Sequence, residues 1–219
     1  VSLFTKSNGN YESQQDNFLS AYRYTSITEF NNNISNCYSY SQKYFSTLPL
    51  NRFRLLFNKL DYEIVKKMES EIAPLSDFVE MFVGVRPKIG YDKIQSFEPL
   101  NNKWKKGYVK GNEVSRYTLQ WNGSFINIDK KLLWGGGFHA SKVEQQKLLM
   151  RKTGNDLIVA YDDEGNYHLD ILHSIIKKND DTNLLFILAI LNSKAINYYY
   201  KITTLSFNRV MAQTNIETI

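Results

Sequence analysis

Three histidines, His139, His168 and His173, are the first residues to test for chemistry, and the last two frame Asp170 in the run His168-Leu169-Asp170-Ile171-Leu172-His173. In a strand, His168 and Asp170 share one face while His173 falls on the other, so the three do not make a metal-ligand set. The single cysteine, Cys37, sits in a stretch rich in Asn, Ser and Tyr with no glycine or histidine beside it. No serine stands in a Gly-x-Ser-x-Gly elbow, so nucleophilic catalysis has no candidate. Trp134-Gly135-Gly136-Gly137-Phe138 is the only glycine cluster, and it lacks the strand, helix and lysine of a phosphate-cradling loop. It reads as a flexible loop tip. The Glu-x-Lys pair of the common metal-dependent nuclease core is absent, as is an Asn-Pro-Pro-Tyr type tetrapeptide. The chain by itself carries no positive sign of an enzyme, and no catalytic or metal-binding residue is assigned.

What remains is a surface of cations interleaved with aromatic residues. Arg86 and Lys88 lie in a glycine-bounded loop; Lys103, Lys105, Lys106 and Lys110 bracket Trp104 and Tyr108; Arg116 precedes Tyr117; Lys130 and Lys131 precede Trp134; Arg151 and Lys152 close a strand. The net charge is only +5, but it is unevenly placed. Between Ser76 and Thr153, fourteen Lys/Arg face seven Asp/Glu, whereas the segments on either side are close to neutral or acidic. Cations neutralise phosphates while Arg and aromatic planes meet base edges, so this pattern suits nucleic acid. Residue by residue, a solvated basic face is an equal reading, since lysines also protect edge strands from unwanted pairing. That leaves a protein-interaction or structural module as the alternative.

These residues must be positioned by a fold, and 219 residues with 42% hydrophobic content can bury a core. One cysteine excludes an internal disulfide framework and fits a reducing compartment. The N-terminal residues do not read as a signal peptide, so a cytoplasmic protein with no membrane partner is expected. Residues 31–47 (NNNISNCYSYSQKYFST) read as irregular structure or a linker. Asp61 is placed to cap a helix with Ile64, Val65, Met68 and Ile72 on its apolar face, ended by Pro74. Beyond it, LSDFVEMFVGV reads as a strand into a Gly84 turn. Strands are then expected at 107–109, 117–121 and 124–128, the last two joined as a hairpin by Asn122-Gly123. Further strands are expected at 147–152 and 157–161 around Gly154, with a helical turn near 142–149, an acidic turn at 162–166 and alternation over 168–176. Leu184 to Tyr200, LLFILAILNSKAINYYY, is too short an apolar run to cross a bilayer and predicts one helix of about five turns, capped from residues 179–182. Thr203 to Ile219 forms a polar coda. Many short strands before a strong helix predict an α+β domain with a twisted, mostly antiparallel sheet and a long C-terminal helix.

Four segments carry a family resemblance. Gly107-Tyr108-Val109-Lys110-Gly111-Asn112-Glu113-Val114-Ser115-Arg116-Tyr117 resembles the Leu-x-Gly-x-Asp-Ile-x-Arg-Tyr segment of target recognition domains in N6-adenine DNA methyltransferases and fused restriction-modification enzymes. Trp121 with Phe125-Ile126 resembles the strand that follows it, 148–154 (LLMRKTG) resembles the family's Ile-Leu-x-Arg-Lys-Thr-Gly strand, and 188–194 (LAILNSK) resembles its Leu-Ala-Leu-Leu-Asn-Ser-Lys helix. The chain is similar to the TaqI-like C-terminal specificity domain over roughly 74–202. It departs at Glu113, where the family often has aspartate, and around 134–138.

The resemblance implies a fold like the type I and type II restriction target-recognition domain, and a sequence-specific reader of double-stranded DNA that is non-catalytic in isolation. It implies residues 1–48 as the tail of an upstream methyltransferase domain and linker, 49–74 as a connecting helix, and 75–219 as the recognition domain. The methyltransferase domain, its S-adenosylmethionine, and Mg2+ if the parent also cleaves, would lie upstream; no cofactor is expected in this piece. The expected DNA-binding residues are Arg86, Lys88, Lys110, Arg116, Lys130, Lys131, Arg151 and Lys152.

Overall fold

Tyrosine alternation inside an Asn- and Ser-rich stretch makes the first strand pair. A computed structural model describes residues 18–24, 26–46, 55, 58–71, 73–134 and 139–204, and the chain divides into two compact units, Val1–Glu71 and Ile72–Ile219. In the first unit, β1 (Phe18–Arg23) is followed by α1 (Ile27–Asn31), with Ser26 as its N-cap, and then by β2 (Asn36–Ser41), which pairs antiparallel with β1 from Phe18↔Ser41 to Arg23↔Asn36. The linker expected over 31–47 is therefore corrected: Asn36–Ser41 is a strand and α2 (Gln42–Ser46) a helical turn. Tyr40, Tyr44 and Phe45 are buried, and the Tyr44 ring meets Tyr62 at 4.9 Å, edge to face. Asn and Ser content had masked an aromatic strand pattern.

Tyr62 belongs to α3 (Lys59–Glu71), which buries Val65. Its start is three residues earlier than expected because Asn58, not Asp61, is the cap. The Asn58 N–H donates to Asp61 Oδ2 at 3.2 Å and the Asp61 N–H to Asn58 Oδ1 at 2.8 Å, a reciprocal capping box.

The second unit runs β3 (Val79–Val83), β4 (Gln95–Ser96), β5 (Trp104–Tyr108), β6 (Val114–Ser115), β7 (Thr118–Leu119), β8 (Phe125–Asn127), α4 (Ala140–Val143), β9 (Lys147–Arg151), β10 (Val159–Asp162), β11 (Tyr167–His168), β12 (Leu172–Lys177), α5 (Leu184–Asn192) and α6 (Lys194–Thr204). The α+β class holds, and the ten strands of this unit form two four-stranded sheets and the β6-β7 pair rather than one sheet. The first, in order β10-β9-β12-β3, is wholly antiparallel. The second, β11-β5-β8-β4, has one parallel pair, β11 with β5.

The first sheet is buried on both faces. Leu148, Met150, Val159 and Ile175 pack under Leu184, Ile187, Leu188, Leu191 and Tyr200 of the helices, whereas Leu149, Ala160 and Leu172 meet Tyr108 and Val114 on the other side. β12 is therefore buried at five consecutive positions, Leu172 to Ile176, instead of alternating. Gly84 ends β3 where an added Cβ would come within 2.3 Å of His168 Nδ1 and the Leu169 carbonyl, so close backbone approach accounts for it rather than a turn.

Two expectations are corrected by geometry. Asn122-Gly123 does not close a hairpin: β7 pairs with β6, β8 pairs with β5 and β4, and the Asn-Gly step, with Gly123 at φ +92°, carries the chain between them. The five-turn helix is two helices. Asn183 caps the first through its side-chain oxygen, which accepts from the N–H groups of Leu185 and Phe186. Ser193 is extended at φ −67°, ψ 153°, and its Oγ accepts the Ile196 N–H at 3.2 Å, which starts the second. The strands around Gly154 appear as β9 and β10, and the acidic turn closes on Asp162, whose carboxylate accepts both the backbone and side-chain N–H of Asn166. Among the described residues no helix is long and apolar enough to cross a membrane. The glycine loop at 135–138, most of the coda at 205–219, and the readings over 1–17 and 47–54 lie outside the described residues.

Candidate nucleic-acid interface

Strand order and direction bring the expected cations together. β3 and β9 run toward one end of the first sheet, and β10 and β12 start from it. Arg86 and Lys88 follow β3, and Arg151 and Lys152 end β9, so both pairs emerge at that end although sixty-odd residues of chain separate them. Four strands spaced by about 4.8 Å make a row roughly 14 Å long, close to the width of a major groove.

Backbone bonds stitch other segments to this row. The Lys88 N–H donates to the Leu132 carbonyl at 2.8 Å and the Trp134 N–H to the Arg86 carbonyl at 2.9 Å, which sets Lys130 and Lys131 beside the Arg86–Lys88 loop. The Tyr117 N–H donates to the Val159 carbonyl at 2.9 Å, bringing the β6–β7 turn with Arg116 against the start of β10. Lys110 follows β5, whose Tyr108 carbonyl accepts the Leu169 N–H at 3.1 Å just before β12. Arg86, Lys88, Lys110, Arg116, Arg151 and Lys152 thus lie on elements that meet this end of the sheet, whereas Lys130 and Lys131 lie farther out, past Lys88 and at the end of β5 opposite Lys110.

They do not do the same work. Lys88, Lys110, Lys130 and Lys131 are exposed, Lys152 is half-buried, and Arg151 donates through Nε to the Val114 carbonyl at 2.6 Å. That bond ties β9 to β6, which gives Arg151 a structural task. Arg116 Nη2 lies 2.8 Å from Asp156 Oδ2, and Lys201 reaches Oδ1 of the same carboxylate. Lys201 first and Arg116 second hold the Asp156 carboxyl below the usual carboxylate range. Arg86 Nε lies 3.7 Å from Asp170 Oδ2, whose other oxygen accepts from Tyr91 Oη at 2.7 Å.

The turn carrying Arg116 is held from beneath. Glu113 is buried, and its carboxylate accepts the N–H groups of Val109 at 2.8 Å, Lys110 at 2.6 Å and Asn122 at 3.2 Å. Tyr117, next to Arg116, has φ +69° and is more than half exposed. A bulky side chain in the left-handed region is uncommon and concentrates at functional turns. Sequence reasoning left Tyr117 out; the signal was its place directly after Arg116.

The other lysines singled out by their aromatic neighbours are used differently. Trp104 is buried, Lys106 pairs with Glu164 and lies 5.1 Å over the Trp121 ring, and Lys103 bonds Asp129 at 2.6 Å. The histidines do not converge. His168 is buried between the Leu169 carbonyl at 2.9 Å and Ser174 Oγ at 2.5 Å, while Asp170 faces Arg86 and Tyr91. No group of three or more His, Cys, Asp or Glu suited to a metal occurs among the described residues.

The family described as the TaqI-like C-terminal specificity domain matches residues 106–219, just over half of the chain. The span includes Lys110, Arg116, Lys130, Lys131, Arg151 and Lys152 but not Arg86 and Lys88, which reach the same sheet end through β3. No curated protein matches the chain.

Proposed function

The chain belongs to the TaqI-like C-terminal specificity domain family, which supplies DNA sequence specificity in restriction-modification enzymes, and on that premise we propose that the basic sheet end is the surface that reads duplex DNA. The observation that carries this reading is the convergence of Arg86, Lys88, Lys110, Arg116, Arg151 and Lys152, from separate segments, on one end of the β10-β9-β12-β3 sheet, with Lys130 and Lys131 continuing the basic surface past Lys88. Exposed lysines there suit phosphates, which fix register without carrying sequence information, and Arg86 and Arg116 with Tyr117 suit phosphates and base edges alike.

In this reading the piece is non-catalytic. Its parent is an adenine-N6 DNA methyltransferase, or a fused restriction-modification enzyme, in which an upstream domain binds S-adenosylmethionine and receives the flipped adenine while this domain holds the duplex. Mg2+ enters only if the parent also cleaves. The protein acts in the cytoplasm. Selection of bound duplexes from a random-sequence library by the 219-residue chain tests the reading: recovery of one discrete motif is expected, and retention of no duplex at low salt contradicts it.

One observation favours a second reading as a protein-interaction module. Leu185, Phe186 and Ile190 are exposed on the outer side of α5, an apolar stripe that DNA does not need. Under that reading alone, the chain binds no duplex.

A further inference from the structure

Two arginines at the sheet end are occupied by carboxylates of their own chain, and each carboxylate has a second donor. Asp156 accepts from Arg116 at 2.8 Å on one oxygen and is ion-paired with Lys201 through the other. Asp170 lies 3.7 Å from Arg86 through one oxygen and accepts from Tyr91 Oη at 2.7 Å on the other. The arrangement recurs in separate segments: Asp156 stands in the turn before β10 and Asp170 in the turn before β12. In both pairs the arginine side chain is the more exposed partner, 43% against 31% for Arg116 and Asp156, and 69% against 13% for Arg86 and Asp170.

We propose that Asp156 and Asp170 are built-in stand-ins for DNA phosphates, which hold Arg116 and Arg86 at the sheet end in the free protein and release them to the duplex on binding. The proposal rests on the DNA-reading function given above and adds a control of affinity to it. A guanidinium meets carboxylate and phosphate through the same planar fork, so the two anions compete for one set of N–H donors. A carboxylate that lost its only cation would be left uncompensated, and that cost would oppose release. Lys201 and Tyr91 remove most of it, because each stays on its carboxylate when the arginine leaves. Sequence-independent binding draws nearly all of its free energy from phosphate neutralisation. Intramolecular competitors for those cations therefore lower the floor of non-specific affinity, while base contacts formed at the correct site are added on top.

The test is a double-mutant cycle read as affinity for a random-sequence duplex at one low salt concentration. The 219-residue chain is compared with Asp156→Asn, Arg116→Ala and the double variant. Asp163→Asn is the control for net charge, since Asp163 follows the far end of β10. Asp156→Asn is expected to tighten binding about two- to fivefold beyond the control, the range of an exposed ion pair. In the Arg116→Ala background that excess should vanish. Equal tightening with and without Arg116, or none beyond Asp163→Asn, overturns the proposal. If Asp156→Asn does not fold, the same cycle on Asp170→Asn and Arg86→Ala decides it with the same outcomes. Failure of the unsubstituted chain to bind any duplex overturns the underlying reading; binding without the coupling overturns this inference alone.

Discussion

The side chain of Asn192 pairs with the backbone of Val159 as a neighbouring strand would. Its Oδ1 accepts the Val159 N–H at 3.1 Å and its Nδ2 donates to the Val159 carbonyl at 2.9 Å. β10 is an edge of its sheet, and an open edge leaves such groups unpaired. Asn197, on α6, accepts the Leu157 N–H at 2.7 Å and extends the same seal. The Asn192-Ser193 step thus closes a strand edge and breaks the helix in two consecutive residues.

Asn192→Leu keeps the number of heavy side-chain atoms and removes both bonds at a buried site. The Val159 N–H is stranded while its carbonyl keeps the Tyr117 N–H, so the domain should lose about 1–3 kcal/mol, read by urea unfolding. Leu188→Ala, which opens a cavity in the core beneath α5, should cost more, about 2–5 kcal/mol, without changing which sequence is bound.

Glu113→Gln should loosen the turn that carries Arg116 and Tyr117. The amide keeps one acceptor for Val109 and Lys110 but presents a donor to the Asn122 N–H, so a loss of about 1–3 kcal/mol is expected. Hydrogen exchange should quicken at Lys110 and Asn122 before it does in β9.

Lys147 and Asp162 form an ion pair of 2.7 Å with both side chains fully buried, and Lys147 Nζ also donates to the Val143 carbonyl at 2.7 Å. Lys147→Met strands the carboxylate and should destabilise by about 3–5 kcal/mol in thermal or urea unfolding. The double variant Lys147→Met, Asp162→Leu should recover part of that loss.

Burial pushes the His168 imidazole from 6.5 down to about 3. Its Nδ1–H donates to the Leu169 carbonyl, so Nε2 accepts from Ser174 Oγ and the ring is neutral in the fold. Between these two values the unfolded chain binds the proton and the folded chain does not. Stability is therefore full above about pH 6.5 and falls as pH drops toward 3, by about 1.4 kcal/mol per pH unit from this group. His168→Gln should flatten the slope of unfolding free energy against pH in that window.

How far the sequence reveals this molecule depends on whether the signal is local. The β9–β10 pair was legible because two short continuous apolar runs flank Gly154, and the basic residues were legible by type. The break at Ser193 was not, because Ser193 looks like an ordinary helix residue until its Oγ is seen on Ile196 and Asn192 is seen on a strand 33 residues away. Asn122-Gly123 misled because the hairpin before it turns through Arg116-Tyr117, with a tyrosine in a conformation usually left to glycine or asparagine. The gathering of Arg86 with Arg151 follows from the spatial order β10-β9-β12-β3, which no local pattern encodes.

The central claim is that this sheet end binds duplex DNA through its cations, and the most direct measurement is affinity against salt for the 219-residue chain and for a variant with Arg86, Lys88, Arg116 and Lys152 all replaced by alanine. Arg151 is spared because it holds Val114. The intact chain should lose affinity steeply as salt rises, and the variant should bind more weakly with a log–log slope lower by about 3 to 4, near 0.9 for each phosphate contact removed. An unchanged slope in a folded variant, or no duplex binding by the intact chain at low salt, would contradict the account.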